Sequence, residues 1–133
     1  MTSILVRHAS AGDRSTWDGA DHDRPLDKKG RRQAEELVQP LLAAGARRAV
    51  SSPYARCVET LEPLAVALGI EVETDDRLAE GAGRAAIELL AADGVVACTH
   101  GDVIFELLRF DLKKGAAVVL EQGIAVRAIA APG

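Results

Sequence analysis

Short apolar runs alternate along this chain with segments whose apolar residues recur at helical spacing. The predicted strands are 4–8, 48–52, 70–74 and 94–99, followed by a strand pair within 116–130 that turns near Gly123. Strands separated by helices need crossover connections, and such connections join parallel strands. The pattern therefore predicts an α/β fold, a single three-layer domain over 1–133 with a mostly parallel central sheet and helices on both faces.

Four segments predict helices. The first begins at Asp27, a residue type that caps helix starts well, is kinked by Pro40 and ends at Gly45. The second is interrupted at Pro63 and ends at Gly69. The four predicted helices are 27–45, 54–68, 84–92 and a segment that begins at Gly101.

Composition excludes several classes of protein. The 133 residues are 48% hydrophobic and carry a net charge of −4, which indicates a globular chain and disfavours general nucleic-acid binding. No apolar run has the roughly 20 residues that a membrane span needs, and Arg7 interrupts the first run where a signal peptide would be apolar. We therefore expect a cytoplasmic protein that binds neither nucleic acid nor membrane. Its two cysteines, Cys57 and Cys98, are expected to be reduced packing thiols.

Polar side chains follow three of the predicted strands at the point where each strand ends. These strand-end residues are Arg7 and His8, then Ser51 and Ser52, then Thr99, His100 and Gly101. In open α/β sheets, ligands bind outside the carboxyl ends of the strands, so these groups are expected to face one crevice. Neighbouring side chains in a regular strand point to opposite faces, so Arg7 and His8 can share the crevice only if the pleat breaks at His8. Two imidazoles and a guanidinium in one crevice suit an anion with spread charge, such as phosphate.

Other phosphate-handling motifs are missing. A cysteine phosphatase needs an arginine six positions after its cysteine, but Pro63 and Ile104 stand there, and no P-loop pattern occurs. The segment GAGRAA (81–86) matches a dinucleotide-binding pattern but does not follow a strand end. These motifs therefore assign no function to the chain.

The long polar loop 9–25 is of a length that is often functional. Asp21, His22 and Asp23 could ligate a metal, but no further Cys or His lies near them, so a solvated loop is the better interpretation. Trp17 either anchors this loop or lines a path for the substrate. We expect no metal site.

The segment LVRHAS (5–10) resembles the signature of the histidine phosphatase superfamily, whose fold is also called phosphoglycerate mutase-like. Ala9 stands where the family has Gly, and Ser10 keeps the hydroxyl that follows. RPLDKKGRRQAEEL (24–37) is similar to the family's first-helix segment, and SSPYARCVET, RLAEG and CTHGDV resemble its three later motifs. The short chain is closest to the SixA-type phosphohistidine phosphatases. It also resembles the histidine phosphatase domains that are joined to Nudix hydrolases, although 1–133 contain no Nudix segment.

The resemblance implies a role for each matching residue. His8 would attack phosphorus and become a phosphohistidine, while Arg7, Arg56 and His100 bind the phosphoryl oxygens and stabilise their charge. Glu80 would give a proton to the leaving group and then activate water. The catalytic set is therefore His8, Glu80 and His100. The phosphate-binding set is Arg7, Arg56, His100 and Ser10.

Two of these assignments have rivals. Glu73, Asp75 and Asp76 lie near Glu80 in sequence and compete with it for the acid role. Ser10 either assists phosphate binding or only stabilises a turn. Arg14 and Arg24 are further candidate contributors.

The resemblance implies a metal-independent phosphatase without a cofactor, acting on a phosphorylated protein or a small phosphorylated metabolite. Few residues between Glu80 and His100 are free to build a lid, and an open site favours a SixA-like enzyme that acts on phosphohistidine in a protein. One alternative is a phosphatase of a nucleotide or other small phosphomonoester. The other is a non-catalytic phosphate-binding regulatory module.

Overall fold

Six strands and four helices make up the regular structure of the computed structural model, which describes residues 1–133. The strands are β1 (Thr2–Arg7), β2 (Arg48–Ser51), β3 (Glu73–Thr74), β4 (Val95–Thr99), β5 (Ala117–Glu121) and β6 (Ile124–Ile129). The helices are α1 (Lys28–Glu36), α2 (Val38–Ala43), α3 (Ala55–Leu68) and α4 (Gly101–Leu108). Short 3₁₀ turns lie at Arg14–Thr16, Asp21–Asp23, Asp76–Leu78 and Ile87–Ala91. No helix combines the length and the apolar character needed to cross a membrane.

All six strands belong to one mixed sheet in the order β3-β2-β4-β1-β5-β6. The pairs β3–β2, β2–β4 and β4–β1 are parallel, whereas β1–β5 and β5–β6 are antiparallel. The mostly parallel sheet and the C-terminal strand pair are thus confirmed. In the register, Arg7 lies opposite Thr99 and Ser51 lies opposite Cys98, so β1, β2 and β4 end at the same edge.

Apolar side chains pack on both faces of the sheet, which confirms the three-layer arrangement. On one face Ile4 and Val6 join a cluster with Leu61 of α3 and Leu41 of α2. On the other face Leu5 joins a second cluster, whose members from outside the sheet include Leu78, Leu90 and Ile104. Both cysteines are free and buried in the first cluster, and burial raises the pKa of the Cys98 thiol.

The first helical segment matches its predicted limits. The Asp27 carboxylate accepts the Gly30 N–H at 2.7 Å and caps α1, and Gly45 follows the last turn with a φ of 98°. The regular helix breaks at Leu37, between α1 and α2. Pro40 lacks the N–H that would bond to the carbonyl four residues earlier, which accounts for a break near this point.

The predicted interruption at Pro63 is wrong, because α3 continues through it from Ala55 to Leu68. A proline inside a helix costs about 3 kcal/mol. Leu61 and Leu64 on either side are fully buried, and burial of each stabilises by about 1.5–3 kcal/mol. Packing of α3 against the sheet therefore outweighs the local cost of the proline.

Two predicted elements are shorter than expected. The segment 84–92 contains only the 3₁₀ turn Ile87–Ala91. Backbone groups that an α-helix would hydrogen-bond internally form hydrogen bonds with β1 instead. The Leu90 carbonyl accepts the Ser3 hydroxyl at 2.8 Å, and the Gly94 N–H donates to the Thr2 carbonyl at 2.7 Å. The strand predicted over 70–74 is only Glu73–Thr74, since the Ile70 N–H donates to Ala65 and completes the end of α3.

Candidate active site

His8 lies immediately after β1, buried, with its backbone N–H donating to the Thr99 carbonyl at 3.1 Å. Its Nδ1 lies 2.9 Å from the Ala9 carbonyl oxygen. A carbonyl can only accept, so Nδ1 carries the hydrogen and Nε2 keeps its lone pair. The ring is therefore held in the form that leaves one nitrogen able to attack an electrophile.

The environment of His8 keeps its imidazole neutral. Burial is the largest cause, and the electrostatic effects of Arg56, His100 and Arg7 add to it, against the opposing effect of the Ala9 hydrogen bond. Together they lower the pKa of His8 from 6.5 to about 3. The Nε2 lone pair is consequently available throughout the neutral range of pH.

Arg7 ends the regular part of β1, and both Arg7 and His8 line one cavity, as the strand-end argument predicted. The Arg7 Nη1 donates to the Leu112 carbonyl at 2.7 Å. Gly101 allows the guanidinium to pack against the start of α4, because a Cβ at that position would lie 3.0 Å from Arg7 Cζ. A larger residue after His100 would therefore displace the Arg7 guanidinium by a few tenths of an ångström.

His100 follows β4 and is also buried, with its ring centroid 5.5 Å from that of His8. Its Nε2 lies 2.8 Å from Ser52 Oγ, which accepts the Tyr54 N–H at 3.2 Å. The ring of Tyr54 packs edge-on against the His100 ring at 4.7 Å. Ser52, at the end of β2, therefore holds the second histidine, while the hydroxyl of Ser51 donates to the Ser52 carbonyl at 2.7 Å.

Arg56 lies in the first turn of α3 and is almost fully buried. Its Nη1 donates to the Asp21 carbonyl at 3.0 Å, and its Nη2 donates to the Asp21 and Glu80 carboxylates at 3.2 and 3.1 Å. The guanidinium lies 4.9 Å from the centroid of the Tyr54 ring, within cation–π distance. Its Nη2 also lies 3.5 Å from His100 Nδ1, and its charge acts on His8.

Glu80 lines the same cavity, and its Oε2 accepts from Arg14 at 3.2 Å and lies 3.8 Å from His100 Nδ1. The Gly81 N–H donates to the Asp102 carboxylate at 2.8 Å, which ties the loop of Glu80 to α4. Its three sequence rivals do not line the cavity. Glu73 pairs with Arg48, and Asp75 pairs with Arg77.

Two predicted phosphate ligands do not themselves line the cavity: Arg56 contacts the cavity residues Glu80 and His100, whereas Ser10 contacts neither of them. Its hydroxyl donates to the Asp27 carboxylate at 2.7 Å, and its backbone N–H donates to the Gln33 side chain at 3.0 Å. It does not line the cavity. Its contacts therefore match the turn-stabilising alternative.

The loop 9–25 contributes through residues whose role the sequence did not indicate. The Asp21 carboxylate bridges three arginines, at 3.2 Å from Arg14, 3.1 Å from Arg24 and 3.2 Å from Arg56. In the same loop, Trp17 donates from its indole to the Ala20 carbonyl at 2.9 Å and does not line the cavity, so it anchors the loop.

The Asp21–Asp23 turn does not form a metal site. His22 stacks on Tyr54 with centroids 4.7 Å apart. No group of three or more His, Cys, Asp or Glu side chains anywhere in 1–133 is arranged to hold a metal ion.

The cavity at this edge of the sheet has a volume of about 1330 Å³, and its lining is mostly polar. Two buried side-chain donors in the whole structure lack a partner, the Nε–H groups of Arg7 and Arg56. An unpaired buried donor costs about 1–3 kcal/mol, so native proteins rarely keep one without a use. The site therefore combines a neutral imidazole nitrogen with two arginines that keep free donor capacity, an arrangement suited to a multiply charged oxyanion.

Comparison with known proteins gives a consistent family. Residues 3–86 match the model of the histidine phosphatase superfamily (branch 1). The 8-oxo-(d)GTP phosphatase of Mycolicibacterium smegmatis is 39% identical over 118 residues, which are 82% of this chain and 37% of that protein. The chain thus spans a little over a third of the length of this relative.

Solved structures share the fold. SixA from Agrobacterium tumefaciens superposes with a TM-score of 0.78 at 21% identity, covering 97% of each chain. The protein histidine phosphatase SixA in complex with tungstate gives a TM-score of 0.74 at 20% identity, covering 98% of this chain and 97% of that one.

Proposed function

The chain belongs to the histidine phosphatase superfamily, and we propose that residues 1–133 form one catalytic domain that removes a phosphoryl group through a phosphohistidine on His8. No metal is required in this mechanism, because arginine and histidine side chains supply the positive charge. The observation that carries the proposal is the pair of unpartnered Nε–H groups on Arg7 and Arg56, whose charges both act on His8.

In the first step the Nε2 lone pair of His8 attacks phosphorus, and the bond from phosphorus to the leaving group breaks. The Ala9 carbonyl holds the Nδ1 hydrogen and aligns the ring, and it stabilises the positive charge that the imidazole gains on phosphorylation. Because the ring is already neutral, no proton has to leave before attack. The buried position of His8 also limits competing contacts with bulk water.

Arg7, Arg56 and His100 would bind the equatorial oxygens of the transferring group. Their side chains are held in place before the reaction by Leu112, Asp21 and Ser52 respectively. Prearranged charge of this kind stabilises the transition state without reorganisation during the reaction. The loss of one such donor typically lowers the rate by about 10² to 10³.

Glu80 is the best-placed group to protonate the leaving oxygen. It lines the cavity and lies beside both Arg56 and His100. A phosphoryl dianion bound next to it would compete for Arg56 and would favour uptake of a proton by the carboxyl group. After transfer, the same carboxylate would activate the water that hydrolyses the phosphohistidine.

Two classes of substrate have support. The fold shared with SixA proteins and the opening of the cavity to solvent favour phosphohistidine in a protein. The 39% identity to an 8-oxo-(d)GTP phosphatase favours a nucleotide or another small phosphorylated metabolite. We place the small metabolite first, because 39% identity over 118 residues is a closer relationship than a shared fold at about 20%.

Trapping of the intermediate tests the proposal. The protein is incubated briefly with an aryl phosphate in the presence of chelator, quenched in alkali and analysed by mass spectrometry. We expect acid-labile, alkali-stable phosphate on His8, and none in His8→Asn. A non-catalytic phosphate-binding module would gain no covalent phosphate, and phosphate on Ser51, Ser52 or Cys57 would contradict the assignment of the nucleophile.

A further inference from the structure

The cavity extends well beyond the two histidines. At about 1330 Å³ it is far larger than a single phosphoryl group requires, and its other wall is formed by the segment between α4 and β5. Lys113 and Lys114 in that segment line the cavity together with Phe105 of α4. Neither lysine belongs to the set that would contact the transferred phosphoryl group.

Hydrogen bonds fix this segment against the nucleophile. The Leu112 carbonyl accepts from Arg7 Nη1 at 2.7 Å, and the Gly115 N–H donates to the carbonyls of both Arg7 and His8, at 3.1 and 3.0 Å. The two lysines are the only residues between these anchors. Successive Cα atoms are about 3.8 Å apart, so the Cα atoms of both lysines lie within about 8 Å of that of Gly115, whose N–H contacts the His8 carbonyl.

The positive charge of the pair is only partly balanced within the protein. Lys114 acts on the Asp13 carboxylate, but neither lysine forms an ion pair, whereas Arg14 and Arg24, which also line the cavity, both pair with Asp21. Of the four carboxylates that line the cavity, Asp13, Glu80 and Asp102 already accept hydrogen bonds from other groups, and Asp111 lies two positions before Lys113. Two adjacent exposed lysines beside Arg7 repel one another until an anion binds between them.

We propose that Lys113 and Lys114 form a second anion site for a phosphate attached to the transferred phosphoryl group, which makes the substrate a small-molecule diphosphate. This inference rests on the proposed function. Nε2 of His8 bonds to the terminal phosphorus, and the bond from that phosphorus to the bridging oxygen breaks. The bridging oxygen keeps the electron pair and leaves on a monophosphate ester held by the two lysines. Water then attacks the phosphohistidine and releases inorganic phosphate, restoring the imidazole.

Affinity for inert analogues tests the site without the complication of leaving-group chemistry. Methylenebisphosphonate and methylphosphonate are titrated by calorimetry into the wild type, into K113Q/K114Q and into the control K28Q/K29Q. The control removes two exposed lysines from α1, outside the cavity, and changes the net charge equally. An exposed ion pair changes an affinity by a factor of about 1.4 to 5, so K113Q/K114Q should lower the preference for the bisphosphonate by about two- to thirtyfold.

The wild type and K28Q/K29Q should keep the full preference, and the preference should fall with added salt. An equal preference in all three proteins, or an equal loss in both double variants, would overturn the second anion site. Propylene-1,3-bisphosphonate is titrated into the same three proteins, and a loss confined to this longer ligand would place the second anion too far away for a diphosphate and would also overturn the proposal. Failure to trap phosphate on His8 refutes the proposed function separately, because these affinities do not depend on turnover.

Discussion

Protonation of His8 should make the protein less stable in mild acid, and His8→Asn should remove that dependence. Burial and the nearby cations lower the pKa of His8 from 6.5 to about 3 in the folded protein. Between these values the unfolded chain binds a proton that the folded chain does not. The free energy of unfolding therefore decreases as the pH falls from 6.5 towards 3, and above pH 6.5 the two states are alike.

The size of the effect follows from the two pKa values. Each pH unit between them is worth about 1.4 kcal/mol, and near pH 6.5 the unfolded imidazole is only partly protonated. Between pH 7 and pH 5 the contribution of His8 should thus decrease by about 2 kcal/mol. That is a large share of the 5–15 kcal/mol typical of a domain.

Urea unfolding of the wild type and His8→Asn at pH 7 and pH 5 measures the contribution. Other titrating groups are present in both proteins, so the difference between the two pH-dependent losses isolates His8, and the wild type should lose about 2 kcal/mol more. His22→Asn removes an exposed imidazole from the 9–25 loop and should retain the wild-type loss. If the wild type and His8→Asn lose the same stability, His8 is not held neutral by its surroundings and the account of the nucleophile is wrong.

Three further predictions concern the reaction. Arg56→Ala should lower kcat/KM for an aryl phosphate by about 10² or more, because the transition state loses a fixed positive charge. Steady-state assays measure this loss, after circular dichroism has shown that the variant is folded. Glu80→Gln should slow single-turnover phosphoryl transfer from an alkyl phosphate by about 10² to 10⁴. Transfer from a nitrophenyl phosphate should slow far less, because the alkoxide leaving group needs a proton and the nitrophenolate does not. Equal losses on both substrates would remove Glu80 from the acid role. Ser52→Ala should lower kcat more than it raises KM because the ring of His100 loses its hydrogen bond, whereas Ser51→Ala, at a neighbouring buried serine that does not contact the ring, should not. A Ser52→Ala enzyme with the kcat of Ser51→Ala would show that Ser52 does not position His100.

The sequence predicted the parts of the site that lie at strand ends. Arg7, His8 and His100 each follow an apolar run, and parallel strands bring their carboxyl ends to one edge whatever the details of the loops. Ser52 was placed at that edge by the same argument, but its contact with His100 depends on the turn into α3. Position along a strand was therefore predictable, and the identity of the hydrogen-bond partner was not.

The other discrepancies have a common physical origin in contacts between residues far apart in sequence. In place of the predicted helix over 84–92 there is only a 3₁₀ turn, and at its end Leu90 and Gly94 form hydrogen bonds with Ser3 and Thr2 of β1, about 90 positions away. Lys113 and Lys114 reach the site only because Leu112 and Gly115 bind the Arg7–His8 segment. A local sequence pattern indicates which secondary structure a segment favours. Long-range hydrogen bonds such as these decide which structure the segment adopts in the folded protein.

Before a ligand binds, the positive charge of Arg56 is compensated by carboxylates and that of Arg7 is not. Arg56 is almost fully buried, and isolated charges at such depth cost several kcal/mol, so its pairing with Asp21 and Glu80 stabilises the empty site. Arg7 has no carboxylate partner and donates to a single backbone carbonyl. In the proposed mechanism an incoming phosphoryl group therefore gains a new charge pair at Arg7, whereas at Arg56 it competes with carboxylates that are already bound. This competition limits affinity for the ground state, and only a contact that becomes stronger in the transition state accelerates the chemical step.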